Sequence, residues 1–194
     1  MKKSFSLAIL FLALASAVQA QVVSWKAYYA PDYAEIRDVS YAKNLFVAVG
    51  DDNAILYSST GASWSAGTLP TGLNCQLKAT ATAFGQFFAG GVNTDTEEAV
   101  LLLSLDGKNW NDITTDVFVE KYNFPKGIHA IHASSAGGAE SIYIAYEYGS
   151  QGYFKAVVSS DGTKWDYVDY FGAKKPVFFQ DASRRYVGDF DSLY

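Results

Sequence analysis

The residue types that could carry chemistry are few in this chain. His129 and His132 form an H-x-x-H. On a helix that spacing could hold a metal ion. Here it lies in a strand-like stretch, where an odd offset sends the two side chains to opposite faces, and no third ligand is evident. The acidic clusters Asp51-Asp52 and Asp95/Glu97/Glu98 fall in turns. Solvated acids are the ordinary content of turns, and the alternating ligand positions and glycine of a dedicated calcium loop are missing. A glycosidase pair of carboxylates could be drawn from Asp38, Asp181, Asp189 and Asp191, but no spacing singles out two of them. No glycine-rich phosphate loop precedes a helix, and no nucleophile elbow is present. Cys75 is the single cysteine, so it reads as a small buried side chain without an internal disulfide. The sequence assigns no catalytic residue, no metal and no cofactor.

The composition says what must position such residues. The chain has 194 residues, 49% hydrophobic, 16% aromatic and 18% charged. This excludes disordered, collagen-like, coiled-coil and disulfide-scaffold classes. Residues 1–20 open with Met1-Lys2-Lys3, continue through the apolar run LAILFLAL and end in Val18-Gln19-Ala20. That is the pattern of a secretory signal peptide cut after Ala20, too short to span a bilayer. The expectation is an exported protein, periplasmic or secreted, with residues 21–194 as a single domain. Losing Lys2 and Lys3 takes the net charge from −5 to −7. So acidic a chain is a poor match for nucleic acid or anionic membranes, and membrane insertion is not expected. We expect a monomer.

Three segments repeat: SSTGASW at 58–64, SLDGKNW at 104–110 and SSDGTKW at 159–165. The pattern is Ser-x-[Asp/Thr]-Gly-x-x-Trp, with tryptophans 46 and 55 residues apart. Asp-Gly is a tight-turn signal, since Asp accepts local backbone hydrogen bonds and Gly takes positive φ freely. Each copy is read as a hairpin turn whose second strand carries the Trp. Upstream, residues 36–50 (IRDVSYAKNLFVAVG) and 77–91 (LKATATAFGQFFAGG) align at an offset of 41, and residues 128–145 fit with an insertion at 136–141. Ala42-Lys43-Asn44 and Ala83-Phe84-Gly85 are turns between paired β segments, and no window keeps a helical period. Each unit is therefore four short strands.

The ends extend the pattern. Tyr186-Val187-Gly188 sits where Phe46-Val47-Ala48 sits in the first unit, and Ser24-Trp25 matches Ser63-Trp64. The expected architecture is an all-β propeller of four-stranded antiparallel blades at about 33–66, 72–113 and 126–168. A composite blade joins 174–194 to 22–30, so that an N-terminal strand closes the ring. A fragment of a larger propeller and a β-sandwich are the alternatives; the sandwich leaves the Trp repeat unexplained.

The turn motif and its upstream strand resemble the Asp-box (BNR-type) repeats of secreted β-propellers, best over 46–64, 100–110 and 157–165. That family includes sialidases and photosystem II assembly-factor-like propellers. The boxes here are one residue short between Asp and Trp, and Thr60 replaces Asp in the first. The resemblance implies that Gly61, Trp64, Asp106, Gly107, Trp110, Asp161, Gly162 and Trp165 are structural turn and packing residues. Sialidase chemistry, as the resemblance implies it, needs an arginine triad and a Tyr–Glu nucleophile pair. The three arginines here are Arg37, Arg184 and Arg185, and the last two, as neighbours on a strand, point to opposite faces.

One constellation remains. In the repeat alignment Arg37, Lys78 and His129 occupy the same place in successive units, with Phe178 in the fourth. If those strands line a central channel, the three converge on an anionic small ligand or a polar glycan. Asp38 and Asp181 could neutralise them. Tyr146 and Tyr148 are read as loop aromatics at a recognition surface. The functional expectation is a non-catalytic binding or scaffolding module contacting a protein or glycan through Arg37, Lys78, His129, Tyr146 and Tyr148. A glycan-active enzyme, sialidase-like or another glycosidase or a fragment of one, and a cell-envelope assembly factor are the alternatives.

Overall fold

A computed structural model describes residues 35–118, 125–135, 138–149, 153–168, 176–180 and 185–189, the last two as backbone. The expected leader, the N-terminal closing strand, Asp181 and Asp191 lie outside the described residues. The chain is all-β. Three antiparallel four-stranded sheets follow in order, each a simple up-and-down meander. The first is β1 (Ile36–Ala42), β2 (Leu45–Gly50), β3 (Ile55–Ser58) and β4 (Ser65–Ala66). The second is β5 (Cys75–Ala83), β6 (Gln86–Asn93), β7 (Ala99–Ser104) and β8 (Asn111–Asp112). A one-turn helix α1 (Thr114–Val117) follows, too short to leave a helical period in the sequence. The third sheet is β9 (Gly127–Ser134), β10 (Ser141–Tyr148), β11 (Tyr153–Ser159) and β12 (Asp166–Val168). A further hairpin pairs β13 (Pro176–Gln180) with β14 (Arg185–Asp189).

The first strand of each sheet lies beside the first strand of the next: β1 against β5, β5 against β9 and β9 against β13. Apolar side chains therefore meet between sheets. Val47, Val49, Ile55, Leu77, Phe87, Val100, Leu102, Cys75 and Trp110 form one buried cluster between the first two blades. Leu101, Val117, Phe118, Ile128, Ile144, Tyr146 and Val157 fill the second interface. Cys75 is 1% exposed, and burial pushes its thiol up to about 11. It is a packing residue in the described structure.

The turns follow from local chemistry. Lys43 and Asn44, and Phe84 and Gly85, take φ between 51° and 68°, the two left-handed residues that match a hairpin turn to strand twist. Phe84 is a bulky residue in that region. Its ring is held by packing beside Gly162 and the Ala83/Phe88/Ile142 cluster.

In the repeated turns the serine is the hub, a role the motif alone did not reveal. Ser58, Ser104 and Ser159 each accept a hydrogen bond through Oγ from the glycine N–H three residues on, at 2.8 Å in all three. Those glycines have φ of +75°, +70° and +76°. Asp106 accepts the N–H groups of Lys108 and Asn109, and Asp161 those of Thr163 and Lys164. Thr60 manages only one such bond, from Ala62 at 3.2 Å. The tryptophans end the turns rather than sit in the outer strands. Trp64, Trp110 and Trp165 each immediately precede β4, β8 and β12, because each outer strand is only two or three residues long. Trp110 packs on the blade before its own, and Trp165 does the same against Phe88, 6.2 Å between ring centres.

The backbone donors hold the Asp106 carboxyl well below the usual carboxylate range and bring Asp161 to about 2. A depressed folded pKa adds stability that is complete above the unfolded value, ~3.9, and is lost as pH falls through the folded one. Asp106→Ala is expected to lower stability by about 1 kcal/mol at pH 7, the worth of a solvent-screened turn cap. That gap shrinks below about pH 4. Urea melts of both proteins at pH 7 and pH 3 check this; an equal gap at both pH values would contradict it.

Candidate functional site

The aligned trio Arg37, Lys78 and His129 occupies one structural feature three times. Ladder pairing runs from Ile36 to Asp38, from Leu77 to Ala79 and from Ile128 to Ala130, skipping the residue between. Each of the three is the extra residue of a β-bulge on the first strand of its sheet. A bulge re-aims one side chain and stops the local ladder. It thereby places three polar side chains at one end of the blades on adjacent strands.

In the first two blades a glycine opposite makes room for the bulge. Ile36 pairs with Gly50 and Leu77 with Gly91. A Cβ at Gly50 would lie 2.0 Å from the Glu35 carbonyl oxygen, and one at Gly91 1.9 Å from that of Gln76. In the third blade the equivalent residue is Tyr146, paired with Ile128, so that repeat runs to Tyr146 rather than Ala145. Glycine recurring at Gly50 and Gly91 was the sequence signal for this in the first two blades, but its cause lies in the partner strand.

One residue beyond these positions stand Asp51, Val92 and Glu147. Arg37 donates to both Asp51 oxygens, through Nε at 3.2 Å and Nη2 at 2.8 Å, and also pairs with Glu35 at 3.0 Å. This fork holds Asp51 below its ordinary pKa. His129 Nε2 lies 3.5 Å from Glu147, with the Phe154 ring edge-on at 4.9 Å. Burial first, then the Lys78 charge, hold the His129 imidazole below its ordinary pKa, and Glu147 acts against both. Lys78 lies between, and its charge bears on Asp51 and His129. The result is a belt of alternating charge rather than a purely cationic ring. Arg37 is neutralised by Asp51 and Glu35, not by Asp38.

Asp38 has another task. Its Oδ2 accepts the Thr80 N–H at 2.8 Å, tying the first blade to the second. Beside it Ser40 and Thr80 share a hydroxyl contact at 3.0 Å. Tyr146 is not a loop aromatic: it lies within β10, is 2% exposed and packs edge-on against Phe118 at 5.0 Å. Strand alternation turns it into the core. Tyr148, also in β10, is half-buried near the bulged end, with the Lys155 ammonium 3.8 Å from its ring centre. His132 sits in β9 opposite Tyr143, three residues from His129. The described residues hold no cluster of three or more His, Cys, Asp or Glu that could bind a metal. At the other end of the inner strands, Thr82, Ala133, Ser134, Ser135 and Glu140 line a cleft of about 130 Å³. The Glu140 carboxylate there accepts the Phe84 N–H at 2.6 Å.

Four-stranded antiparallel blades, ranged side by side through their first strands, define a propeller-type all-β protein. No protein-family model and no curated protein matches the chain. Among solved structures it is similar to YCF48 bound to a D1 peptide, with a TM-score of 0.50 and 17% identity over 74% of this chain and 42% of that one. YCF48 from Cyanidioschyzon merolae gives a TM-score of 0.41 and 15% identity over 70% of this chain and 43% of that one. The GH32 β-fructofuranosidase BmSUC1 of Bombyx mori gives 0.47 and 15% over 78% and 40%. The chain spans about two-fifths of the length of these structures. At such identities the likeness is one of fold.

Proposed function

We propose that the protein is an exported binding or scaffolding module that engages a protein partner at the bulged end of its inner strands. The observation that carries this is the threefold bulge. One device, repeated on adjacent strands, delivers Arg37, Lys78 and His129 to the same end. Export rests on the leader-like residues 1–20, and four-blade closure on the match of residues 22–25 to the outer-strand positions. YCF48, one of the fold neighbours, is bound to a D1 peptide, which is in keeping with a propeller of this kind holding polypeptide. Binding without turnover is the reading because the Asp51 carboxylate at this end is gripped by the Arg37 guanidinium. A general acid needs a raised pKa, whereas the Arg37 fork lowers that of Asp51.

The test compares wild type with a variant carrying Arg37→Ser and Glu147→Gln, both immobilised and exposed to cell-envelope extract. A stoichiometric partner retained by wild type and lost by the variant is expected. Equal retention by both, or hydrolysis of glycoside substrates by the purified protein, would overturn it.

A further inference from the structure

The three bulges are alike in backbone and unlike in one respect. In the first blade the bulge cation Arg37 faces Asp51, and in the third His129 faces Glu147. Both acids stand one residue beyond the partner of the Ile that precedes the bulge, across the same hairpin. In the second blade that position is Val92, one beyond Gly91. Lys78 thus lacks the acid that its two counterparts have, and among the described residues it has no ion pair within 4.0 Å. Asp51, on which the Lys78 charge also bears, is already gripped through both oxygens by Arg37. Lys78 is half-buried, so its ammonium is presented by packed strands rather than by a loop.

We infer that Lys78 is the anion-accepting point of this face, taking one carboxylate from the partner in the place that Val92 leaves without an acid. This rests on the bulged end being the binding face. Beside it His129 is faced by Lys78 from β5 and Glu147 from β10. A bound carboxylate would offset the Lys78 charge and ease protonation of His129. Such a contact, made with the ammonium of a partly exposed lysine, weakens as salt rises. An acidic peptide and an acidic sugar would present the same group.

The test uses two variants that act from opposite sides. Lys78→Met removes the charge and keeps most of the stem. Val92→Glu supplies the missing acid and leaves Lys78 intact. Hexaglutamate and oligoglucuronate are titrated at low ionic strength, with hexaglutamine as the neutral control. Wild type is expected to bind at least one acidic probe, and both variants at least tenfold more weakly. Which probe binds separates peptide from glycan as the source. Without any ligand, NMR titration of His129 is expected to show its pKa rising in Val92→Glu as Lys78 is neutralised. Equal binding by all three proteins, no binding by wild type, or an unmoved His129 would overturn the inference. If the extract partner is retained while both acidic probes fail, the carboxylate site falls and the binding face stands. If the partner is not retained either, the face itself falls.

Discussion

Gly91→Ala is expected to be among the most damaging single-methyl changes in the protein. The added Cβ would sit 1.9 Å from the Gln76 carbonyl oxygen and 2.7 Å from Leu77 Cα. Both are backbone atoms of the bulge, so no rotamer change relieves the contact. The strands must part or the bulge must dissolve. Overpacking against a flexible side chain costs about 1–3 kcal/mol, and fixed backbone puts this case at about 3 or more. For a domain of this size that lowers Tm by roughly 6–12 °C. Gly127→Ala is the control, because its Cβ would meet only ordinary contacts at 3.7–4.0 Å. Urea unfolding followed by tryptophan fluorescence measures both. An unchanged midpoint in Gly91→Ala would mean that the β5 bulge is not built as described. If the bulge dissolves and the chain still folds, the register shifts by one and Lys78 turns to the other face. Acidic-probe binding should then disappear with it.

Phe88→Ala is the second large effect. Phe88 is fully buried, with Ala83 and Ile142 in its cluster and the Trp165 ring edge-on at 6.2 Å. It belongs to the second blade, and Ile142 and Trp165 to the third, so the cavity opens between blades. Truncating a buried Phe costs about 3–5 kcal/mol, a large share of the 5–15 typical of a domain. Phe88→Leu should recover most of it. The expected result is a sharply lower midpoint together with changed Trp165 fluorescence. A loss under about 1 kcal/mol would show that the second and third blades do not share this core.

Much of the architecture was readable because turns write themselves locally. Asp-Gly and Lys-Asn dictate backbone within a few residues, and the Ser-x-Asp-Gly motif recurs because the Ser Oγ and Asp carboxylate serve N–H groups two or three positions away. The recurrence of 36–50 at 77–91 did the same for the strands around Val47 and Phe88. Tyr146 departs from its expected loop position for the opposite reason. Its neighbours Glu147 and Tyr148 are polar enough to suggest a loop, and only the strand's pairing with β9 and β11 turns its ring inward.

The site shows the same division. The repeat alignment alone put Arg37, Lys78 and His129 in equivalent places, since equal spacing between equal turns requires it. Their chemistry was beyond its reach. A bulge exists only relative to a partner strand, and so does the neutralising acid across from it. Whether a cation is paired depends on groups within a few ångströms, which ladder register selects from residues fourteen to eighteen positions away, as in Arg37–Asp51 and His129–Glu147. Spacing along the chain therefore determined which residues are equivalent. Only the tertiary structure decided that Arg37 and His129 have acidic partners and that Lys78, bulged out opposite the Gly90–Gly91 step, has none among the described residues.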